Sequence, residues 1–176
     1  MLLSDYEKAR KKSEKNPYED LAIAELEGHT VGKDEEKTDS VTIIKKLGKD
    51  DAIYGLGDKP GCLNKRGYSY VNWNTDDPAP HVDSFKSLYK SIPFFIVLGD
   101  EYCYGIFADN TYKTTFDFGY ENTDYYFVEH EKGELDYYFM PGNDMAEVVG
   151  LYTSLTGTTP LYQRWIYGSH QSRWGY

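Results

Sequence analysis

Five short apolar runs follow one another between residues 92 and 140, and their spacing restricts the fold more than any other feature of the sequence. Asn, Asp and Gly separate them at intervals of about ten residues, which is typical of antiparallel strands joined by short turns. Strands are therefore expected at 92–98, 102–108, 113–119, 124–130 and 134–140. The first two should form a hairpin that turns at Gly99 and Asp100. The pattern predicts an antiparallel β-sandwich or barrel.

Earlier segments extend this pattern. We expect further strands at 41–47, 52–54 and 68–73, the last because its aromatic residues alternate along the chain. The stretch 54–61 predicts a glycine-rich turn, because its glycine spacing and Pro60 fit neither a dinucleotide-binding loop nor a phosphate-binding loop. The segment 74–81 is rich in Asn, Asp and Pro and predicts a loop.

The pattern changes after residue 140. The segment that follows predicts one amphipathic helix, capped at Asn143 and ended by Gly157, with Pro160 preventing its resumption. One helical face should carry the larger apolar residues: Met145, Val148, Val149, Tyr152 and Leu155. Beyond Pro160 the run Trp165, Ile166 and Tyr167 predicts one more buried strand.

Charge and hydropathy exclude several classes of protein. The formal net charge is −10, and an acidic chain repels both nucleic-acid phosphates and anionic membrane surfaces. No apolar run approaches the roughly 20 residues of a membrane-spanning helix, and the first fifteen residues do not resemble a secretory signal. Cys62 and Cys103 suggest no disulfide framework. A reduced, cytoplasmic location fits these features best.

The sequence offers few groups for catalysis. The four histidines are far apart and lack the spacing of metal ligands: His29, His81, His130 and His170. Ser169 and His170 are adjacent, and adjacent side chains point apart on a strand, so they make no catalytic pair. No metal and no cofactor are expected, and spacing alone identifies no pair of carboxylates for acid–base work.

Asp76 and Asp77 allow two interpretations. In the first, they lie in a loop bounded by prolines and hold its backbone in an Asx-type turn. In the second, they belong to a sugar-binding loop, because carboxylates accept strong hydrogen bonds from hydroxyl groups and the indole of Trp73 can stack on a pyranose face. The residues alone favour the turn.

Several stretches together resemble glycoside hydrolase family 31, the α-glucosidase and α-xylosidase family. They follow the family's order over most of residues 40–176. The matching stretches are YGLGDKPGCLNKRG (54–67), WNTDDPAPH (73–81), LYKSIPFFI (88–96), YGIFADNTYKTTFDFG (104–119), GELDYYFMPG (133–142), VVGLYTSLTGTTPL (148–161) and HQSRWGY (170–176).

The resemblance implies a galactose-mutarotase-like N-terminal β-sandwich followed by a (β/α)₈ barrel. The sandwich should span residues 1–142, with its front shortened, and a connector helix and linker should span 143–160. A barrel takes about 250 residues, so 161–176 can hold only its first strand. We therefore expect this chain to be an N-terminal fragment of a larger protein.

The resemblance also implies a site. Asp76 matches a loop position that reaches over the barrel mouth in the family, and Tyr176 matches the C-terminal end of the first barrel strand. These two residues and Trp73 are the expected substrate contacts, whereas Arg173 and Trp174 are expected to pack and pair within the barrel. The family retains configuration by using two carboxyl groups about 5–5.5 Å apart. No position here matches either carboxyl group, so the fragment is expected to be inactive alone.

Three functions are compatible with a sandwich, because fold does not determine function. The resemblance favours a fragment of a retaining glycosidase that acts on α-linked glucosides. The alternatives are a stand-alone carbohydrate-binding module and a structural or interaction module. In the first case the partners would be the α-glucoside and the missing barrel. An uncovered apolar tail would also favour self-association.

Overall fold

Nine strands form two antiparallel sheets in the part of the chain that the computed structural model describes, which comprises residues 24–27, 40–78 and 80–171. One α-helix and one short 3-10 helix follow the last strand. The strands are β1 Ala24–Glu27, β2 Val41–Lys46, β3 Ala52–Gly57, β4 Ser69–Asn72, β5 Ser91–Leu98, β6 Cys103–Ala108, β7 Thr114–Asp117, β8 Tyr125–His130 and β9 Tyr137–Gly142.

The two sheets have the strand orders β1-β2-β8-β7-β4 and β3-β5-β6-β9. The hairpin predicted from the two apolar runs is confirmed: β5 pairs with β6, and the amide of Gly99 donates to the carbonyl of Tyr102 across the turn. The sequence did not predict β1. The mainly β, antiparallel architecture expected from the strand spacing is thus confirmed.

The core between the sheets is unusually aromatic. Phe95 lies at its centre, with ring centroids 4.9 Å from Phe118 and 5.4 Å from Tyr126. Tyr104 and Tyr126 are both fully buried, and their hydroxyl groups approach to 3.4 Å. Each tyrosine fills core volume with its ring while its polar tip finds a partner. This arrangement accounts for part of the chain's high tyrosine content.

Strand β3 contains a bulge where the sequence predicted a turn. Its pairing with β5 shifts between Gly55 and Gly57, which have φ angles of 134° and 77°. A Cβ atom would lie 2.5 Å from the carbonyl oxygen of Phe94 at the first glycine and 2.3 Å from that of Lys90 at the second. The glycines therefore keep the strand paired through a conformation that other residues adopt poorly, and the turn begins only after Gly57.

The segment between β3 and β4 closes one edge of the sandwich. The amide of Lys65 donates to the carbonyl of Ile53 at 2.7 Å, so this segment continues the hydrogen bonding of the free edge of β3. The Lys65 ammonium lies 5.4 Å from the centroid of the Tyr70 ring and donates to the carbonyls of Lys59 and Pro60. The Tyr70 hydroxyl donates to the same Pro60 carbonyl at 2.8 Å.

The predicted helix is present as α1, Met145–Thr156, and ends at Gly157 as expected. Its N-cap is Asp144 and not Asn143: the Asp144 side chain accepts from the amide of Glu147 at 2.8 Å. Asn143 instead donates through its backbone and side-chain nitrogens to the Glu147 carboxylate. The cap therefore lies one residue later than predicted. Among the described residues, no helix is both long and apolar enough to cross a membrane.

Helix α1 packs on the outer face of the four-stranded sheet, but it buries less than its sequence predicted. Val148 is fully buried, and the ring of Tyr152 stacks on that of Phe94 at 4.0 Å. The other apolar residues expected on this face remain 39–46% exposed: Met145, Val149 and Leu155. The helix thus contacts the sandwich along a narrow line.

The buried strand predicted at Trp165, Ile166 and Tyr167 is wrong. These residues belong to the 3-10 helix Arg164–Tyr167, and Trp165 and Tyr167 are 68% and 59% exposed. Aromatic content alone does not make a strand, because a strand needs a paired neighbour and none of the described strands pairs with this segment. The predictions made for residues 173, 174 and 176 lie outside the described residues.

Candidate functional site

The candidate site lies on the segment 73–90, which connects the last residue of β4 to the first residue of β5 and so crosses from one sheet to the other. Connections longer than about 12–15 residues without secondary structure are usually functional or disordered. Here the prediction of a loop at 74–81 is confirmed for its described residues. We refer to residues 73–90 as the crossing loop.

The crossing loop is tied together at its base. The carbonyl of Trp73 accepts hydrogen bonds from the hydroxyl of Thr75, at 2.9 Å, and from that of Ser87. The two hydroxyl groups lie 3.0 Å apart. Because Thr75 and Ser87 stand near opposite ends of the loop, these bonds hold its two limbs side by side.

Two hydrogen bonds donated by backbone amides reinforce this base. The amide of Ser91 donates to the side-chain oxygen of Asn74 at 3.1 Å, and the amide of Val71 donates to the carbonyl of Lys86 at 2.8 Å. The loop therefore starts and returns at the same end of the sandwich. We call this end, where β3 finishes at Gly57, β4 at Asn72 and β5 starts at Ser91, the loop end.

Asp76 is held by a residue from the returning limb. The hydroxyl of Tyr89 donates to Asp76 Oδ1 at 2.7 Å. This bond to a carboxylate raises the pKa of the Tyr89 hydroxyl, because the ionised phenol would face a like charge.

The loop presents groups suited to a hydroxyl-rich ligand. Trp73 is 58% exposed and Tyr89 is 49% exposed, while Asp76 also faces solvent. The bond from Tyr89 uses Asp76 Oδ1, and no described residue donates to Oδ2. A carboxylate can accept hydrogen bonds from ligand hydroxyl groups, and an exposed aromatic ring on the same loop can cover an apolar ligand face.

The rest of the loop stabilises this presentation. The ring of His81 lies 5.7 Å from that of Phe85, and His81 Nε2 donates to the carbonyl of Asp77 at 3.0 Å. Two of the three predicted substrate contacts, Trp73 and Asp76, therefore lie on one braced loop, whereas Tyr176 lies outside the described residues. Sequence reasoning missed Tyr89, although it lies in the quoted stretch LYKSIPFFI.

A second concavity lies at the opposite end of the sandwich. An open pocket of about 480 Å³ is lined by Gly48, Lys49, Asp50, Asp51, Asp100, Glu101 and Tyr102. Its most buried carboxylate is already occupied: Asp51 accepts from the Tyr102 hydroxyl at 2.5 Å and from the amide of Gly48 at 2.7 Å. Asp51 is therefore a structural residue that ties together the turns at this end.

The described residues contain no group of three or more His, Cys, Asp or Glu placed to hold a metal ion. Cys62 and Cys103 are free thiols.

Comparison with known proteins shows what the chain is similar to. Residues 2–117 match the model of the glycosyl hydrolase 31 N-terminal galactose mutarotase-like domain. The chain is 45% identical over 136 residues to alpha-glucosidase 2 of Bacillus thermoamyloliquefaciens, and 34% identical over 122 residues to the alpha-xylosidase XylQ of Lactiplantibacillus pentosus. These matches cover 77% and 69% of this chain but only 17% and 15% of the two relatives.

Solved structures also share the fold of this chain. The fold matches a dextranase of this family from Flavobacterium johnsoniae, solved with isomaltotriose, at a TM-score of 0.60 and 45% identity. That match covers 65% of this chain and 14% of the dextranase. The cycloalternan-degrading enzyme of Trueperella pyogenes matches at a TM-score of 0.64 with 18% identity over 73% of this chain and 19% of the enzyme, which supports the fold alone.

Proposed function

Because the chain belongs to the family of glycosyl hydrolase 31 N-terminal galactose mutarotase-like domains, we propose that it is the N-terminal part of a retaining glycosidase that acts on α-linked glucosides. The relatives that it matches include an α-glucosidase and an α-xylosidase, so the substrate would be an α-linked pyranoside. The chain spans less than a fifth of the length of these two relatives. The activity of the whole enzyme is therefore a proposal.

The observation that carries the proposal is the braced crossing loop. Its exposed Trp73 can stack on a sugar ring, and Asp76, oriented by Tyr89, can accept a hydrogen bond from a sugar hydroxyl. Asp76 also stands at the position where the family resemblance implies a substrate contact. Geometry and resemblance thus support the same residue from separate directions. Tyr176 remains a third proposed contact on the strength of the resemblance.

In this proposal the chain binds and orients substrate but does not cleave it. A retaining mechanism needs a nucleophilic carboxylate and an acid about 5–5.5 Å apart on either side of the scissile bond. The family's motifs for both groups find no match in this sequence. Asp76 and Asp77 are neighbours on one loop and do not supply such a pair.

The partner proposed for the sandwich is the catalytic barrel. Apolar residues on and after helix α1 are exposed, among them Leu155 at 46%, Leu161 at 94% and Trp165 at 68%. A barrel seated on this surface would remove them from water, whereas without it they would favour self-association of the chain.

Turnover of a chromogenic α-glucoside tests the proposal. We expect none from the purified 176-residue chain and measurable turnover from an intact enzyme that contains it. Turnover by the chain that survives removal of contaminating glucosidase would overturn the assignment of the catalytic carboxylates to the rest of the enzyme. An inactive intact enzyme whose isolated sandwich binds maltose would instead favour a carbohydrate-binding module.

A further inference from the structure

Unpaired polar atoms are concentrated at one end of the molecule. Among the described residues, five buried side-chain atoms have no hydrogen-bond partner, and they belong to four residues: Lys59 Nζ, Asn72 Nδ2 and Oδ1, Ser91 Oγ and His130 Nε2. In folded proteins such atoms are rare, because burying a polar group without a partner is costly. Their common location therefore calls for a physical explanation.

Three of these residues stand at the ends of strands that meet at the loop end. Asn72 is the last residue of β4, Ser91 is the first of β5, and His130 is the last of β8. Asn72 is opposite Thr114 in β7, and Thr114 is opposite His130, so Asn72 and His130 lie in one row across the five-stranded sheet, with Thr114 between them. Ser91 belongs to the facing four-stranded sheet. Asn72 and His130 are 7% and 0% exposed.

Lys59 joins them from the segment that follows β3. Gly57 pairs with Ser91, and the amide of Asp58 donates to the carbonyl of Lys90 at 3.3 Å, which places the start of this segment beside the first residues of β5. Lys59 Nζ and His130 Nε2 are buried atoms, and this burial lowers the pKa of Lys59 to about 8 and that of His130 to about 4.

The Thr114 hydroxyl determines which nitrogen of His130 carries the proton. The Thr114 hydroxyl donates its one proton to the carbonyl of Tyr112 at 2.9 Å and lies 2.7 Å from His130 Nδ1. His130 must therefore carry its proton on Nδ1 and donate to Thr114. Its Nε2 is left as a buried acceptor, while the Lys59 amine is a donor and the Asn72 amide and Ser91 hydroxyl offer both roles.

From this combination we infer that the loop end holds an internal cluster of ordered water molecules that bridges His130 Nε2, the Asn72 amide, Ser91 Oγ and Lys59 Nζ. A simple anion could accept from Lys59 but could not donate to His130 Nε2, whereas water does both. A larger hydroxyl-bearing ligand is excluded by the burial of these atoms. Buried water typically makes about three hydrogen bonds to groups that would otherwise be unpaired.

The position of the cluster gives it a structural task. Asn72 and Ser91 immediately flank the crossing loop, so the same water molecules would hold both of its attachment points. The cluster would thus fix the base from which Trp73 and Asp76 project. This inference does not depend on the proposed glycosidase function.

Water-selective NOE and ROE spectroscopy of the isotope-labelled chain tests the inference directly. We expect cross-peaks between water and the side-chain amide protons of Asn72 with the sign ratio of long-lived, buried water. Asn110 is the matched control, because its Nδ2 already donates to the carbonyls of Lys132 and Glu134. Resolved Asn72 signals without long-lived water contacts would overturn the inference.

Substitution provides a second test with a predicted sign. Asn72→Leu replaces the amide by an apolar group of similar size. In a hydrated site it removes hydrogen bonds to water, and the melting temperature should fall by roughly 2–4 °C or more. In a dry site it removes an unpaired polar group, and the melting temperature would stay the same or rise. That second result would contradict the water cluster.

Discussion

The hydroxyl of Tyr89 donates a hydrogen bond of 2.7 Å to Asp76 Oδ1, and this bond joins residues that are thirteen positions apart on the two limbs of the crossing loop. A carboxylate held in this way has one oxygen fixed and the other directed by the geometry of the first. Groups that must meet a ligand precisely are generally oriented by neighbours of this kind.

Tyr89→Phe should therefore weaken substrate binding by an intact enzyme while leaving the fold in place. The substitution removes the hydroxyl that orients Asp76 but keeps the ring. We expect KM for an α-glucoside to rise on the order of three- to tenfold. Tyr112→Phe is the matched control, since Tyr112 is also an exposed tyrosine, at 52%, but lies on another loop. Equal KM values for the two variants would contradict the role of Tyr89.

Helix α1 should depend on a glycine beneath it. A Cβ atom at Gly105 would lie 2.7 Å from both the Phe94 ring and Val148 Cγ1, so Gly105→Ala pushes the helix off the sheet. We expect the free energy of unfolding to fall by about 1–3 kcal/mol in a denaturant titration. Gly150→Ala is the matched control.

Gly150 lies within the same helix, and a Cβ atom there would meet no atom within 4 Å. Replacing it should stabilise the protein by roughly 0.5–1 kcal/mol, because alanine loses less conformational freedom than glycine in a helix. A loss of stability in Gly150→Ala comparable to that in Gly105→Ala would show that close packing is not the cause.

His130 should make stability depend on pH in the mildly acidic range. Burial lowers its pKa from 6.5 to about 4, so between these values the unfolded chain binds a proton that the folded chain does not. Stability from this residue is complete above pH 6.5 and is lost as the pH falls toward 4. The total loss is about 3 kcal/mol.

Denaturant titrations across pH 4–7 measure this slope. His130→Asn keeps a donor for the hydroxyl of Thr114 and removes the titrating ring, so its stability should vary less with pH than that of the unchanged protein. His81 is an exposed residue of the crossing loop, and His81→Asn is the control that should keep the dependence of stability on pH seen in the unchanged protein. Parallel curves for the unchanged protein and His130→Asn would refute the linkage.

The strands from residue 92 onward could be predicted because alternation and turn residues are local signals. Their bounds agree to within three residues, and the largest difference is at β9, which begins at Tyr137 instead of residue 134. The predicted strand 52–54 ends three residues before β3 does. The bulge at Gly55–Gly57 forms against β5, so the local sequence does not reveal it. The strand predicted at Trp165 failed for a related reason: whether an aromatic run pairs or stays exposed is decided by distant residues.

In the candidate site, too, local features could be predicted and contacts between distant residues could not. Asp76 was predicted as a substrate contact from the family resemblance and Trp73 as a stacking surface near it, whereas the residues alone favoured a turn; both contacts stay predictions. Tyr89 was not predicted, because its contact with Asp76 exists only once the loop has closed on itself. The unpaired atoms of Asn72, Ser91 and His130 could not be predicted from the sequence either. Only the register of β4, β7 and β8 brings Asn72 and His130 into one row.

The most direct test of the account is the kinetic effect of Asp76→Ala in an intact enzyme that contains this chain, measured on an α-glucoside beside Asp83→Ala as a control on the same loop. If the crossing loop delivers a carboxylate to the substrate, kcat/KM falls roughly 10- to 100-fold in Asp76→Ala and stays near its original value in Asp83→Ala. An unchanged kcat/KM in Asp76→Ala, with the protein folded, would contradict the account and leave the sandwich without a role in binding substrate through this loop.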